Sequence, residues 1–118
     1  MSESLEPERC ARMLKALADP ERLRIIDCLR QGPRNVTDIT RELDADIVNV
    51  SHHLGVLRGA GLVVDHKQGR FVVYQLHPEV FASKGRARTE HLDLGCCRLE
   101  MPRPGEERLP QEGSVDKD

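Results

Sequence analysis

The residues best suited to chemistry in this 118-residue chain are its four cysteines, two of which, Cys96 and Cys97, are adjacent. A disulfide between neighbouring cysteines closes a very small and strained ring, so this pair is better suited to binding a ligand than to cross-linking. Thiolates are soft ligands that prefer thiophilic ions such as trivalent arsenic or antimony, zinc, cadmium, lead or copper(I). We therefore take Cys96 and Cys97 as ligand candidates, with Cys10 or Cys28 as a third sulfur donor.

The composition indicates one small domain with a thin aliphatic core, since 38% of the residues are hydrophobic, 32% are charged and none is tryptophan. A domain of this size buries a modest share of its surface, so we expect it to dimerise. The chain has no apolar run of membrane-spanning length, and its N-terminus lacks the regions of a signal peptide, so we expect a cytoplasmic protein. Cysteines there favour metal binding, redox sensing or packing over a disulfide framework.

The hydrophobic pattern predicts four helices in the first half of the chain. Asp19, Asn35 or Thr37, and Asp46 are expected to cap the second, third and fourth helices, because short polar side chains accept hydrogen bonds from the first free backbone N–H groups. The predicted helices are Glu8–Ala18, Pro20–Arg30, Val36–Leu43 and Ile47–Arg58.

A change of period after the fourth helix predicts strands. Leu62–Val64 and Phe71–Tyr74 are rich in β-branched or aromatic residues and flank a polar tip, which is typical of a β-hairpin, or wing. The segment at Pro78 is a candidate start for another helix, and a weaker helical stretch is expected from Ala87 to Leu94. We predict a folded domain over residues 1–100 and a polar, disordered tail over residues 101–118, where Pro, Gly and charge dominate.

The third and fourth helices, joined by a tight turn and followed by the hairpin, have the arrangement of a helix-turn-helix whose second helix enters the major groove of DNA. Residues 47–91 hold six basic and three acidic residues in a chain of net charge −2, which fits a local nucleic-acid face. His53 fits equally well as a half-buried histidine that packs on the wing. The predicted DNA contacts are Asn49, Ser51, His52, His53, Arg58, Lys67 and Arg70.

Three segments, ALADPERLRI, VSHHLGVLRGAGLV and GRFVVYQL, follow one another in an order and spacing that resemble the ArsR/SmtB family of metal-sensing repressors. The resemblance covers roughly residues 14–76. It implies an α+β winged helix-turn-helix fold, mostly helical with a two-stranded wing. It also implies a homodimeric transcriptional repressor that binds an inverted repeat of operator DNA through Ile47–Arg58 and is released by an inducer. We expect no enzyme activity, because the chain lacks a phosphate-binding loop and a nucleophile elbow.

Two metal sites of the ArsR/SmtB family find no match in this chain. Asn35 and Thr37 occupy the positions of a cysteine pair that precedes the recognition helix in some members. In the zinc site of the last helix, Pro78 takes a ligand position. The remaining candidates are either solvated surface residues or a zinc site of another geometry: His77, Glu79, His91 and Asp93.

A third family site is closer to this sequence. Some arsenic-responsive members carry a vicinal cysteine pair near the C-terminus together with a third cysteine. The resemblance therefore implies arsenite or antimonite, or another thiophilic ion, as an inducer bound by Cys96, Cys97 and Cys10. Because the first and last helices pack across the dimer interface in this family, Cys10 is expected from the partner chain. Cys28 is expected in the core, and no resident cofactor is expected.

Two alternatives remain open. Redox or reactive-sulfur sensors with the same fold use one cysteine on the second helix and one on the last, which here would be Cys28 with Cys96 or Cys97. The other alternative is a winged helix that serves as a protein-interaction module without DNA. The net acidic charge favours that module, and the basic wing opposes it.

Overall fold

The computed structural model describes residues 6–84 and 89–102 as four helices followed by strands in two antiparallel sheets. The helices are α1 (Pro7–Leu17), α2 (Pro20–Leu29), α3 (Val36–Leu43) and α4 (Ile47–Gly59). The strands are β1 (Arg34–Asn35), β2 (Val63–Gln68), β3 (Phe71–Leu76), β4 (Phe81–Lys84), β5 (Thr89–Asp93) and β6 (Arg98–Met101). Over these ranges, no helix combines the length and apolarity required to cross a bilayer.

Three of the four helices begin at polar side chains that cap them. At the start of α2, the Asp19 carboxylate accepts hydrogen bonds from the backbone N–H groups of Glu21 and Arg22, at 3.0 and 3.1 Å. The bond from Arg22 is the largest influence that lowers the pKa of Asp19 below its ordinary value. Asn35 and Asp46 cap α3 and α4 in the same way, so all three predicted caps are confirmed.

The apolar faces of the helices meet in one core that continues into both sheets. On α4, Val50, Leu54 and Leu57 recur at helical spacing and are fully buried. The turn between α3 and α4 is tight because Asp44 adopts a left-handed conformation, with φ at 53°. The other large, fully buried side chains are Met13, Ile25, Ile26, Ile39, Leu62, Val63, Leu92 and Leu94.

The predicted wing is confirmed, and it is longer than the sequence indicated. Strands β2 and β3 pair from Val63 with Leu76 to Gln68 with Phe71, around a two-residue turn. Gly69 has a φ of 67° in this turn, a conformation that glycine adopts without strain. Strand β1 adds a third strand to the wing's sheet immediately before α3, so the wing is fixed to the helix-turn-helix.

The helix predicted from Ala87 to Leu94 is wrong where the structure describes it, because Thr89–Asp93 is the central strand of a second sheet in the order β4-β5-β6. Side chains alternate from His91 on this strand to Leu94 just after it: Leu92 and Leu94 are buried while His91 and Asp93 are half-exposed, which is the period of a strand. Pro78 lies in a turn and does not start a helix.

The C-terminal boundary of the folded domain stays a prediction. Strand β6 continues through Met101, one residue into the predicted tail. Residues 103–118 of that tail, like residues 85–88, lie outside the described residues.

A buried arginine fixes the second sheet to the end of α2. The Arg30 side chain is only 2% exposed, and its Nε donates to Glu90 Oε1 at 2.8 Å on strand β5. Its other nitrogens reach Asp27 and the carbonyl of Pro102. A buried guanidinium is tolerated only when it is paired and hydrogen-bonded, so these contacts hold the sheet and the segment after β6 against α2.

Candidate thiol site and nucleic-acid interface

Three cysteine sulfur atoms meet between the start of α1 and the connection from β5 to β6. The sulfurs of Cys10, Cys96 and Cys97, here called the thiol cluster, all lie within 4.8 Å of one another. Cys10 and Cys96 are joined as a disulfide, with Cα atoms 6.2 Å apart, and Cys97 Sγ lies 3.9 Å from Cys96 Sγ. The three cysteines singled out from the sequence thus come together within one chain. A cysteine from a partner is not needed to complete a set of three sulfurs.

The local backbone explains how the vicinal pair is presented to Cys10. The backbone N–H of Leu94 donates to the Cys97 carbonyl at 2.9 Å and closes the connection between β5 and β6. Gly95 has a φ of 92°, in the region that favours glycine, and its N–H donates to the Asp93 carboxylate at 2.9 Å. Buried Leu94 anchors the turn, while all three cysteines stay half-buried. The cluster is therefore held in place and remains reachable from solvent.

A cation lies beside the connection that carries the vicinal cysteines. A guanidinium nitrogen of Arg9, on α1, lies 3.6 Å from the position that a Cβ would take at Gly95, the residue before Cys96. The start of α1 therefore approaches this connection through Arg9 as well as through Cys10.

Cys28 lies in a different environment, between α2 and α3. It is buried, and its thiol donates to Glu42 Oε1 at 2.8 Å. Burial, followed by the neighbouring Glu42 carboxylate, raises the pKa of the Cys28 thiol to about 12. The thiolate is the form that binds metals and reacts, so Cys28 is suited to packing rather than to sensing.

The candidate zinc residues near the second sheet do not assemble into a comparable site. His77 Nδ1 accepts a hydrogen bond from the backbone N–H of Glu79 at 3.1 Å, which closes a turn. Among residues 6–84 and 89–102, the potential metal ligands that lie close enough together to hold one ion are the three cysteines of the thiol cluster. Within those ranges, no such group of three ligands includes any of the four candidate zinc residues, His77, Glu79, His91 and Asp93.

The predicted DNA contacts fall on the outside of α4 and on the wing. Asn49, Ser51 and His52 are exposed, as are Lys67 and Arg70 at the wing tip. The first three can donate to or accept from base edges and phosphates, and the two wing cations suit the phosphate backbone.

Arg58, at the end of α4, forms an ion pair with Asp65 on β2 at 2.9 Å. The side chain of Arg58 is half exposed, and ion pairs of this kind contribute little stability. Arg58 therefore remains available to a phosphate group.

His53 differs from the other predicted contacts, because its side chain is 15% exposed and both ring nitrogens have partners. Arg22 donates to Nδ1 at 3.1 Å, and Nε2 lies 3.2 Å from Glu21 Oε1. These contacts tie α4 to the first turn of α2. The packing interpretation of His53 therefore fits better than a DNA contact, although the neighbour is α2 and not the wing.

Two exposed apolar residues, Ile47 and Val48, begin α4 beside the polar contacts. Neither residue is among the predicted DNA contacts, because those are all polar side chains. The helical period of the sequence does indicate that Val48 is exposed, since it lies nearly opposite the buried stripe of Val50, Leu54 and Leu57 on a helix of 3.6 residues per turn.

Comparison with known proteins identifies bacterial transcriptional regulators as relatives of this chain. Residues 19–64 match the model of the family described as "Bacterial regulatory protein, arsR family". The chain is 43% identical over 88 residues to the HTH-type transcriptional regulator NmtR of Mycobacterium tuberculosis, covering 72% of this chain and 73% of NmtR. It is 41% identical over 69 residues to the arsenical resistance operon repressor of Escherichia coli, covering 58% of this chain and 59% of that protein.

Among solved structures, the fold is similar to a homodimeric winged helix-turn-helix DNA-binding domain from Mycobacterium bovis. The TM-score is 0.59 at 35% sequence identity, over 61% of this chain and 67% of the other. The family match spans α2 to β2 and includes α4, whereas the thiol cluster lies outside it. These relatives are transcriptional regulators and not enzymes. The chain therefore belongs to the arsR family of bacterial regulatory proteins.

Proposed function

We propose that this ArsR-type repressor binds an inverted repeat of operator DNA as a homodimer and is released when the thiol cluster binds arsenite or antimonite. The observation that carries the proposal is the convergence of the Cys10, Cys96 and Cys97 sulfurs within 4.8 Å. A trivalent metalloid takes three sulfur ligands, and these three thiols can supply them once the disulfide is reduced. A relative named as an arsenical resistance operon repressor supports the choice of ion.

The binding step balances without an oxidant. Arsenous acid, As(OH)3, exchanges its three hydroxyl groups for three thiolate sulfurs. Each thiol proton leaves with one hydroxyl group, so the products are a tris-thiolate complex and three water molecules. A divalent cation bound by the same thiols instead releases their protons to solvent.

The contacts of α1 suggest how the ion affects DNA binding. Closing the thiol cluster around an ion fixes the start of α1 to the β5–β6 connection. Further along α1, the carbonyl of Ala16 accepts from Arg22 Nε at 2.5 Å, and Arg22 also contacts His53 on α4. A change in the position of α1 therefore reaches the recognition helix through one arginine. Couplings of this kind are typically about 1–3 kcal/mol, or roughly 5- to 150-fold in affinity.

The test is a fluorescence-anisotropy titration of reduced protein against duplex DNA from upstream of its coding region, with and without arsenite. We expect arsenite to weaken binding by roughly 5- to 150-fold in the wild type and to have no effect in Cys10→Ser, Cys96→Ser or Cys97→Ser. Cys28→Ser is the matched control, because serine keeps a donor for Glu42, and it should respond like the wild type. Full arsenite response in the three cluster variants would refute the proposal.

The Cys10–Cys96 disulfide favours a second candidate, a sensor of oxidants. Two thiols and one molecule of a peroxide such as H2O2 give one disulfide and two water molecules. Cys97, whose sulfur is 3.9 Å from that of Cys96, can then attack the disulfide by thiol exchange. Release from DNA by H2O2, reversed by a dithiol and insensitive to arsenite, would favour this candidate over the first.

A further inference from the structure

The first turn of α4 exposes an apolar side chain that the fold does not use. Val48 is 69% exposed, the largest exposed fraction among the large hydrophobic residues of the described ranges. Valine is also a poorer helix former than the straight-chain residues, because its β-branched side chain loses rotamer freedom in a helix. Neither packing nor helix propensity accounts for a valine here, so a contact outside the chain is the better reason.

The position of Val48 on α4 shows which way it faces. At 3.6 residues per turn, Val48 lies about 160° around the helix from buried Val50. It lies four residues before His52, so the two side chains share one face. That face is exposed. Apart from Ile47, which is 48% exposed, the neighbours of Val48 on it are polar, including Asn49 and Ser51. Two apolar side chains among polar ones form a smaller patch than the core of a protein–protein interface, which is a contiguous apolar surface.

The major groove of DNA offers one apolar group, the C5-methyl of thymine, among its hydrogen-bond donors and acceptors. The residues of a recognition helix that contact base edges lie near its N-terminus, where Val48 is found. We infer that Val48 is a specificity-determining residue that contacts a thymine methyl group in each operator half-site. The inference rests on the proposed binding of DNA by α4 and not on the proposed inducer.

The size of the effect follows from one methyl group. Removing a buried methyl group from contact costs about fourfold in affinity. A homodimer makes the contact twice, so loss in both half-sites should cost roughly 15-fold.

The test begins with in vitro selection of duplexes by reduced wild-type protein from a random-sequence library. In the enriched duplex, each thymine is then replaced by deoxyuridine, which removes only the C5-methyl group. For the wild type we expect one thymine per half-site whose replacement weakens binding about fourfold. For Val48→Ala, the thymine and deoxyuridine duplexes should bind equally, at the affinity of the wild type for the duplex that carries deoxyuridine in both half-sites, which is roughly 15-fold weaker than for the thymine duplex. The other thymines of the same duplex serve as internal controls.

The outcomes separate this inference from the proposed inducer. It is overturned if the wild type does not distinguish thymine from deoxyuridine at any half-site position, or if Val48→Ala keeps the full discrimination. Failure to enrich any sequence overturns it together with DNA binding by α4. If the enriched duplex shows the thymine effect but is not released by arsenite, the inference stands and the proposed inducer fails.

Discussion

Replacing Gly55 with alanine should stabilise the fold and weaken DNA binding at the same time. Gly55 is half-exposed in the middle of α4, has no positive φ, and a Cβ built there meets no atom within 4 Å. Glycine in a helix interior is less favourable than alanine by about 0.8–1.0 kcal/mol. Because the added methyl group meets no clash, Gly55→Ala should gain most of this amount, which corresponds to a rise in Tm of roughly 4 °C for a small domain.

The same methyl group should interfere with DNA. Gly55 comes three residues after His52 and seven after Val48, so it continues the outer face of α4. If this face lies against the groove, an unaccommodated methyl group costs about 1–3 kcal/mol, or roughly 5- to 150-fold in affinity. Gly59→Ala is the matched control, because that position also has space for a Cβ but lies at the C-terminal end of α4.

The assays are thermal unfolding followed by circular dichroism and anisotropy titration against the selected duplex. We expect Gly55→Ala to melt at a higher temperature and to bind DNA more weakly, while Gly59→Ala binds like the wild type. A Gly55→Ala variant that is more stable and binds DNA with unchanged affinity would refute the placement of this face in the groove. A lower Tm for Gly55→Ala would show that the fold itself requires glycine at position 55, contrary to the space found around it.

Three further predictions concern the caps, the second sheet and the inducer. Glu90→Ala removes a partner of the Arg30 guanidinium, which is 2% exposed, and should lower the free energy of unfolding in urea by about 3–5 kcal/mol. Asp27 also pairs with Arg30 but its side chain is 61% exposed, so Asp27→Ala should cost at most about 1 kcal/mol. Equal losses for the two variants would contradict the argument from burial. Asp19→Ala should lower the free energy of unfolding near neutral pH. Because the pKa of Asp19 in the folded state lies below its ordinary value of 3.8, the difference in stability between wild type and variant should shrink as the pH falls through the folded pKa. A stability difference that does not change with pH would exclude the Asp19 carboxylate as its source. Arsenite affinity should vary little between about pH 6 and 8, because the exchange of hydroxyl for thiol releases no proton, whereas cadmium affinity should rise with pH, because each thiol that binds cadmium releases one proton. A steep rise for arsenite would contradict the balanced exchange of hydroxyl for thiol.

Local features of the fold could be predicted from the sequence, because their causes are local. Asp19, Asn35 and Asp46 each cap a helix through a neighbouring backbone N–H, and the bounds of α3 were predicted to the residue. Strand β5 could not be predicted in the same way. Its conformation depends on pairing with β4 and β6, which places Leu92 opposite both Phe81 and Leu99, and these pairings carry no local signal.

In the candidate site, too, the residue types could be predicted from the sequence, whereas the contacts between residues far apart in the chain could not. The chemistry of the vicinal cysteines is visible in their residue types, but the approach of Cys10 to Cys96 spans 86 residues and depends on the second sheet. His53 was ambiguous because its partners, Arg22 and Glu21, lie on another helix. Val48 was missed because an exposed apolar residue is recognised only once the buried face of its helix is known.

The most direct test of the proposed thiol site is X-ray absorption at the arsenic edge, on reduced protein loaded with one arsenite per chain. We expect three sulfur neighbours around arsenic in the wild type and in Cys28→Ser. In Cys10→Ser we expect two sulfur neighbours and one oxygen. Three sulfur neighbours in Cys10→Ser, or oxygen neighbours in the wild type, would contradict the assignment of Cys10, Cys96 and Cys97 as the inducer site.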